Sequence, residues 1–440
     1  MRWVAAEIAE AVGGVVRGDP AVTIDRATQD SREVDGDDWL FVPLVADRDG
    51  HDFVAAATER GARLTLASQP VEPGPATVIE VADTGAALLA LGRASRNRLP
   101  DSQVVGITGS VGKTTTKDLL GAVLAGHGSV HASVRSFNNE IGLPLTLVNT
   151  VEGEADHVVL EMGARGLGHI AMLCDIGRPT VGVVTTVGSA HTSEFGSVEA
   201  VAQGKGELIA ALPSDGSAVL NADVPLVAAM AERTAATVLT FGAAGEVRAE
   251  AVELSDDLVP RFRLVTPWGS APVELGARGV HLVDNALAAA AAGLVCGCRP
   301  DAIAAALAHP VLSPMRMDLR RLSSGARLLD DSYNANPMSV AGALRSLGAM
   351  PAVRRVAVLG VMAELGDESA EAHREMAALA RSLDISVISV AAPEYGDAVV
   401  HVTDHVEAAD RLGRLEDGDA VLVKGSRVAA LERLVAALIG

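Results

Sequence analysis

Aromatic residues make up only 2% of this 440-residue chain: three tryptophans, two tyrosines and six phenylalanines. Its cores must therefore be built from Ala, Val, Leu and Ile, and few rings are available to stack the bases of single-stranded nucleic acid. Cysteine is equally scarce. Cys174, Cys296 and Cys298 cannot make a disulfide framework, and the one-residue gap between the last two is not the spacing of a zinc knuckle. Buried, reduced thiols are expected instead. Basic side chains are outnumbered 36 to 56, for a formal net charge of -20. Such a surface repels nucleic-acid phosphates and anionic lipid heads. No apolar run reaches membrane-spanning length. The opening MRWVAAEIAEAVGG carries Glu7 and Glu10 inside its apolar stretch and so lacks a signal-peptide core. The chain reads as cytoplasmic, with no nucleic-acid partner and no membrane insertion.

What is present is a globular composition, 49% hydrophobic, at a length that predicts two to four domains. Trp3, Val4, Ile8 and Val12 suit one face of a short helix. Residues 1–98 read as a small α/β unit, with strand-like WLFVPLV (39–45) and TVIEV (77–81) and helical FVAAATERGA (53–62). The polar stretch NRLPDSQ (97–103) suits a linker. In 99–312 the apolar runs VVGIT (104–108), HVVLEMG (157–163) and TVGVVTTVG (180–188) read as buried parallel strands alternating with helices, hence a doubly wound sheet. Residues 245–275 alternate more and predict a β-rich excursion, followed by an alanine-rich helix at 285–295. In 313–440 VAVLG (356–360), ISVISV (385–390) and AVLVKG (420–425) predict a third α/β core.

The strongest local signal is Gly106-Ile-Thr-Gly109-Ser110-Val-Gly112-Lys113-Thr114-Thr115-Thr116, set between a strand and a helix. Glycines let backbone N–H groups turn onto phosphate oxygens, and the helix N-terminus adds partial positive charge. Lys113 is placed for the β/γ phosphates and Thr114 for a magnesium ion. The usual P-loop spacing puts its first glycine at 107, where this chain has isoleucine. Glu161 ends a buried run, where an unpaired carboxylate is costly, and offers the oxygen chemistry magnesium prefers. Taken singly, His191 suits a hydrogen-bonded loop and Lys205 a solvated surface.

Together these segments resemble the Mur ligases. The matching stretches are GITGSVGKTTTKD (106–118), SFNNEIGLPLTL (136–147), LEMGA (160–164), GSAHTSEFGS (188–197), GKGEL (204–208) and LNADVP (220–225). HLVDNALAAAA (281–291), DDSYNANPMS (330–339), LGVMAELGDES (359–369) and LVKGSR (422–427) continue the series. The resemblance runs from TQDSREV (28–34) to the C-terminus, nearly the whole chain. It implies an α/β protein of three domains: an N-terminal UDP-substrate-binding domain (1–98), a central ATP-binding P-loop domain (99–312) and a C-terminal Rossmann-like ligase domain (313–440).

The resemblance further implies an ATP-dependent, ADP-forming ligase with two magnesium sites. Thr114 and Glu161 would hold one metal; Glu161, His191 and a carbamylated Lys205 the other. Gly109, Ser110, Gly112, Lys113, Thr114 and Thr115 would cradle phosphate. Asn138, Asn139, His281, Asn285, Arg316 and Asp331 would complete the nucleotide site. Asp30, Ser31 and Arg32 would face a UDP-sugar. Asn334, Asn336, Lys424, Ser426 and Arg427 would face the peptide or the incoming amine. DSYNANP and VKGSR are most like the family branch that joins D-alanyl-D-alanine to UDP-N-acetylmuramoyl-tripeptide, which makes those two molecules the expected substrates and a monomer the expected state. Two rival functions remain: a related ligase with another amine or carboxylate, and a P-loop ATPase or kinase that forms no amide. DSYNANP also reads as a simple turn and helix cap, and KGSR as a strand followed by a helix cap.

Overall fold

The computed structural model describes residues 1–134, 136–150, 153, 155–188 and 195–439. Among these residues, four sheets of three or more strands follow one another along the chain. The first has five strands, in the order Val15–Arg17, Thr77–Glu80, Leu64–Ala67, Trp39–Phe41 and Arg26–Thr28. Only the Val15–Arg17 pairing is antiparallel. The strand at 39 ends at Phe41 rather than reaching 45, because Pro43 has no N–H to donate to the ladder. Trp3 and Val4 do not join the first helix. They form a short antiparallel pair with Thr23–Ile24, and the helix starts at Ala5. The buried Trp3 indole has the Arg98 guanidinium 3.6 Å above its ring, an anchor that a local helical periodicity does not reveal.

The central sheet is fully parallel, with six strands ordered Thr237–Phe241, Ser217–Asn221, Val181–Val184, Gln103–Thr108, His157–Glu161 and Val130–Ala132. The strands QVVGIT, HVVLE and VGVV are apolar along most of their length because helices cover both faces. After His157–Glu161 the chain crosses to the other side of Gln103–Thr108 to lay down Val181–Val184. Ligands of doubly wound sheets bind beyond the carboxyl ends of the strands at such a reversal. The alanine-rich helix Val283–Val295 packs on the helix Lys113–Ala125, and Ala288 to Ala292 are fully buried. Small side chains let the two axes approach closely: a Cβ at Gly293 would sit 2.5 Å from Val123 Cγ1.

The region at 245–275 is a three-stranded antiparallel sheet, Arg248–Leu254, Pro260–Thr266 and Gly269–Glu274. The last sheet has six strands, ordered Asp318–Arg321, Arg327–Asp330, Asp419–Lys424, Arg354–Leu359, Ser386–Val390 and Val400–Val402, parallel apart from the first pairing. No helix among the described residues is long and apolar enough to cross a membrane. Cys174, Cys296 and Cys298 are free and buried, and burial pushes the thiols of Cys174 and Cys296 up to about 12.

Candidate active site

The strand Gln103–Thr108 runs into the loop 109–112, and the helix Lys113–Ala125 begins directly after it. Ile107 lies in the strand, fully buried and opposite Glu161, so the phosphate loop proper opens at Gly109 and the isoleucine serves the core. Gly112 has φ 85°, and a Cβ there would overlap the Asn285 side-chain amide. A Cβ at Gly109 would overlap the Thr185 hydroxyl. Both positions need glycine for close approach. The loop is pinned to the next strand end: Ser110 N donates to Thr186 O at 2.9 Å and Thr185 Oγ1 to Val111 O at 2.6 Å. Lys113 folds its Nζ back onto Gly109 O at 2.8 Å. Enclosure by protein holds the Lys113 ammonium below its ordinary pKa; Glu161 opposes that shift, Arg316 adds to it, and Glu364 opposes it.

Thr114, on the first turn of that helix, meets Glu161 at the end of the neighbouring strand. Thr114 Oγ1 donates to Glu161 Oε2 at 2.8 Å, and Asn138 Nδ2 donates to Glu161 Oε1 at 2.8 Å. Arg316 Nη2 donates to Thr114 Oγ1 at 3.0 Å from the far side, and Ser136 Oγ is 3.4 Å from the same hydroxyl. Glu161 is 1% exposed, so its charge is held by these donors rather than by water. Arg316 lies over the Tyr333 ring at 4.3 Å, bracketed by Met315 and Met317, both at positive φ. Its Nε is buried without a hydrogen-bond partner among the described residues. An orphaned guanidinium N–H beside a phosphate-type loop is a ready anion donor.

Asn285 fastens the phosphate loop to the alanine-rich helix: its Nδ2 donates to Gly112 O at 2.9 Å and to Thr116 Oγ1 at 3.1 Å. His281, one turn earlier, has Ser346 Oγ 3.3 Å from its Nδ1. Burial pushes its imidazole down to about 4, against the pull of Asp331 and with a smaller push from Lys424. Asn139 turns away to cap a helix, its Oδ1 accepting from Gly142 N at 3.0 Å.

The opposite wall comes from the last sheet. Asp330 and Lys424 lie at the carboxyl ends of adjacent parallel strands. Lys424 Nζ meets Asp331 Oδ2 at 2.5 Å and donates to Asn334 O at 2.9 Å. Ser426 Oγ donates to Ala335 O at 3.1 Å, so the KGS segment holds the loop 331–336 in shape. Asn336 caps the following helix Pro337–Ala349, its Oδ1 accepting from Ser339 N at 2.9 Å. Arg427 is half exposed, with Nη1 3.4 Å from Glu432 Oε1.

A cleft of about 520 Å³ lies between these walls. Ser110, Gly112, Lys113, Thr114, Thr115, Asn138 and Glu161 line one side; His281, Asn285, Arg316, Asp331, Asn334, Asn336 and Lys424 complete it. Gly109, Asn139, Ser426 and Arg427 stand behind or beside it. Lys205 closes the helix Val198–Lys205, 1% exposed, and burial together with the Lys113 charge pushes its ammonium down to about 7. His191 lies outside the described residues. Asp30, Ser31 and Arg32 form a short turn in the first unit, where Arg32 Nε donates to Asp30 Oδ1 at 2.8 Å. They do not line this cleft. Sequence reasoning missed Ser136 and Tyr333. Both lie inside segments already singled out, but nothing local shows that they converge on Arg316.

Two family models match the chain: "Mur ligase middle domain" over residues 107–293 and "Mur ligase, glutamate ligase domain" over 315–427. The UDP-N-acetylmuramoyl-tripeptide–D-alanyl-D-alanine ligase of Mycobacterium tuberculosis is 40% identical, the match covering 99% of this chain and 97% of that protein. The Escherichia coli ligase of the same name is 35% identical, over 98% and 97%. Among solved structures, MurF of Acinetobacter baumannii superposes with TM-score 0.89 at 29% identity, covering 100% of this chain and 99% of that one. The MurF ligase of Thermotoga maritima in complex with ADP superposes with TM-score 0.81 at 31% identity, covering 93% and 96%.

Proposed function

The chain belongs to the Mur ligase family, and from that premise we propose that it is an ATP-dependent, ADP-forming ligase that joins D-alanyl-D-alanine to UDP-N-acetylmuramoyl-tripeptide in peptidoglycan precursor synthesis. The observation that carries the reading is the corner at the mouth of the phosphate loop where Thr114 meets both Glu161 and Nη2 of Arg316, whose Nε is left without a partner among the described residues. The sheets within 1–98, 99–312 and 313–440 support a division into a UDP-substrate domain, an ATP domain and a Rossmann-like ligase domain.

A carboxylate and an ammonium do not condense in neutral water without activation. A terminal carboxylate oxygen of the peptide attacks the γ-phosphorus of ATP and ADP leaves, giving an acyl phosphate. The dipeptide amine then attacks the acyl carbon, loses a proton, and the tetrahedral adduct expels phosphate to leave the amide. Lys113, Arg316 and the N-terminus of the helix Lys113–Ala125 neutralise the negative charge that gathers as phosphate and carboxylate approach. Asn285 and Thr185 hold the loop in one conformation by bonding the Gly112 and Val111 carbonyls. Opposite them, Lys424 and Ser426 shape the loop that carries Asp331, Asn334 and Asn336.

Thr114 Oγ1 and Glu161 Oε2, 2.8 Å apart, suit magnesium: both are hard oxygen donors, and a magnesium ion completes its shell with phosphate oxygens and water. Thr114 and Glu161 would hold it there, and it would supply Lewis-acid charge to the phosphates. A second site would use Glu161, His191 and Lys205. With its ammonium pushed down to about 7, Lys205 has a neutral amine at hand for addition to CO₂, which yields a carbamate and a proton. Asp30, Ser31 and Arg32 would meet the UDP-sugar; Asn334, Asn336, Lys424, Ser426 and Arg427 the peptide or amine. We place the protein in the cytoplasm, as a monomer.

Phosphate release from ATP in the presence of UDP-N-acetylmuramoyl-tripeptide, with and without D-alanyl-D-alanine, tests the reading. Release that depends on the dipeptide, with the amide product seen by mass, is the expected result. Release without amide would leave only an ATPase, and no release with this pair would move the function to another ligase of the family.

A further inference from the structure

The segment that leads into the last sheet first runs along the helix Lys113–Ala125, which carries the phosphate loop at its start. Thr114 and Asp118 are four residues apart on that helix, so they lie one above the other on a single face. Two residues of the incoming segment meet this face. Ser313 N donates to Asp118 Oδ2 at 2.7 Å, and Arg316 Nη2 donates to Thr114 Oγ1 at 3.0 Å. The segment therefore runs antiparallel to the helix, fastened one turn further from the phosphate loop than the point where Arg316 enters the cleft.

Asp118 is built into the interior at that fastening. Its side chain is 8% exposed, and its other oxygen, Oδ1, lies 2.9 Å from Lys117 Nζ. Lys117, also buried, donates to Ser133 O at 2.7 Å. Ser133 in turn bonds the strand that bears Glu161: its N donates to Val159 O at 3.0 Å, and its Oγ accepts from Glu161 N at 3.3 Å. A buried carboxylate held between an ammonium and a backbone N–H has little freedom to move. On either side of Arg316 the backbone is strained: Met315 and Met317 sit at φ 61° and 53°, a left-handed conformation that methionine seldom adopts. Asp331 accepts from Met317 N at 3.2 Å, so the strained stretch is tied beyond Arg316 as well as before it. Strain kept at both neighbours of a cleft-lining guanidinium points to the placing of that group. Asp118 itself does not line the cleft, so whatever it contributes to nucleotide binding passes through another residue.

We propose that Asp118 is a positioning residue: by holding the Ser313 N–H it sets where Arg316 stands, and so governs how tightly the nucleotide phosphates are bound. The proposal rests on the ATP-binding part of the ligase reading above.

Titration calorimetry of the full chain with the non-hydrolysable ATP analogue AMP-PNP and magnesium tests it through a double-mutant cycle. In Asp118→Asn the amide oxygen can serve only one of two donors; the Lys117 ammonium takes it and the Ser313 N–H loses its partner. Ser313→Pro removes the N–H and leaves the Lys117–Asp118 pair intact. Each is expected to weaken AMP-PNP binding by about 5-fold or more, and Arg316→Ala by about 10-fold or more, the loss of one charge-assisted contact. Either variant combined with Arg316→Ala should bind less than about 2-fold more weakly than Arg316→Ala alone, because a residue that acts through Arg316 then has nothing left to place. Ser313→Pro carries the cycle if Asp118→Asn does not fold. Losses that multiply in the double variants, or single variants that bind as the wild type does, overturn this proposal alone. A wild-type chain that binds no AMP-PNP overturns the ATP-dependent reading and this proposal with it.

Discussion

The corner around Glu161 and the turn Asp30–Arg32 are both polar clusters, but they are held in opposite ways. Around Glu161 the partners come from segments far apart in the chain: Thr114, Ser136, Asn138 and Arg316 all converge on one buried hydroxyl–carboxylate pair. At Asp30 the partner is two residues away, and the Arg32 side chain is 87% exposed. Donors already aimed in a dry site need no reorganisation when phosphate arrives, whereas an exposed ion pair is screened and gains little. The first cluster is built before its ligand binds; the second would be completed by it.

The largest expected effect is on the built corner. Glu161→Gln keeps the shape and leaves an amide to bond Thr114, so the fold should hold. Amine-dependent phosphate release should nevertheless fall on the order of 10²-fold or more. Retention of wild-type turnover with circular dichroism unchanged would erase the distinction between the two clusters.

A smaller effect belongs to His281 in the same cleft. Its folded pKa, pushed down to about 4, lies below the ordinary value near 6.5. The unfolded chain therefore binds the proton more tightly. Stability from keeping this imidazole neutral is fully present above about pH 6.5 and drains away as pH falls toward 4, by about 2 kcal/mol at pH 4.5. His281→Gln should flatten the difference between denaturant midpoints at pH 7 and pH 4.5. An undiminished difference would show that His281 is not what titrates.

The smallest effect is expected at Arg32→Ala. Thermal unfolding should not shift measurably, because the guanidinium is exposed and bonds Asp30 of its own turn. KM for the UDP-linked substrate should rise while KM for ATP stays put. A drop in melting temperature would show that the turn is as tightly integrated as the corner.

Much of the nucleotide side is legible in the linear sequence because its signals are local. The run QVVGIT, the glycines and Lys113–Thr114 lie within a dozen residues, and strand, turn and helix follow from apolar continuity and backbone freedom. The isoleucine at 107, an oddity in the motif, is explained once it is seen as a buried strand residue facing the register position of Glu161. Trp3 and Val4 misread as helix for the converse reason: their partners, Ile24, Thr23 and the Arg98 side chain, are distant in the chain and leave no periodic trace. Asn139, grouped with Asn138 by adjacency, points to a helix cap while its neighbour orients Glu161.

The amino-acid sequence by itself determined where the strands and the phosphate loop form, which side chains are available for phosphate and metal, and, through ten ordered segments, the family. Only the tertiary structure decided which of those side chains meet. Asn285 reaches Gly112 across 173 residues, and Arg316 reaches Thr114 across 202. The physical reason is that parallel strands bring all their carboxyl ends to one edge. Loops remote in the chain are delivered there together, and the pairing of their side chains depends on register and packing rather than on any local preference.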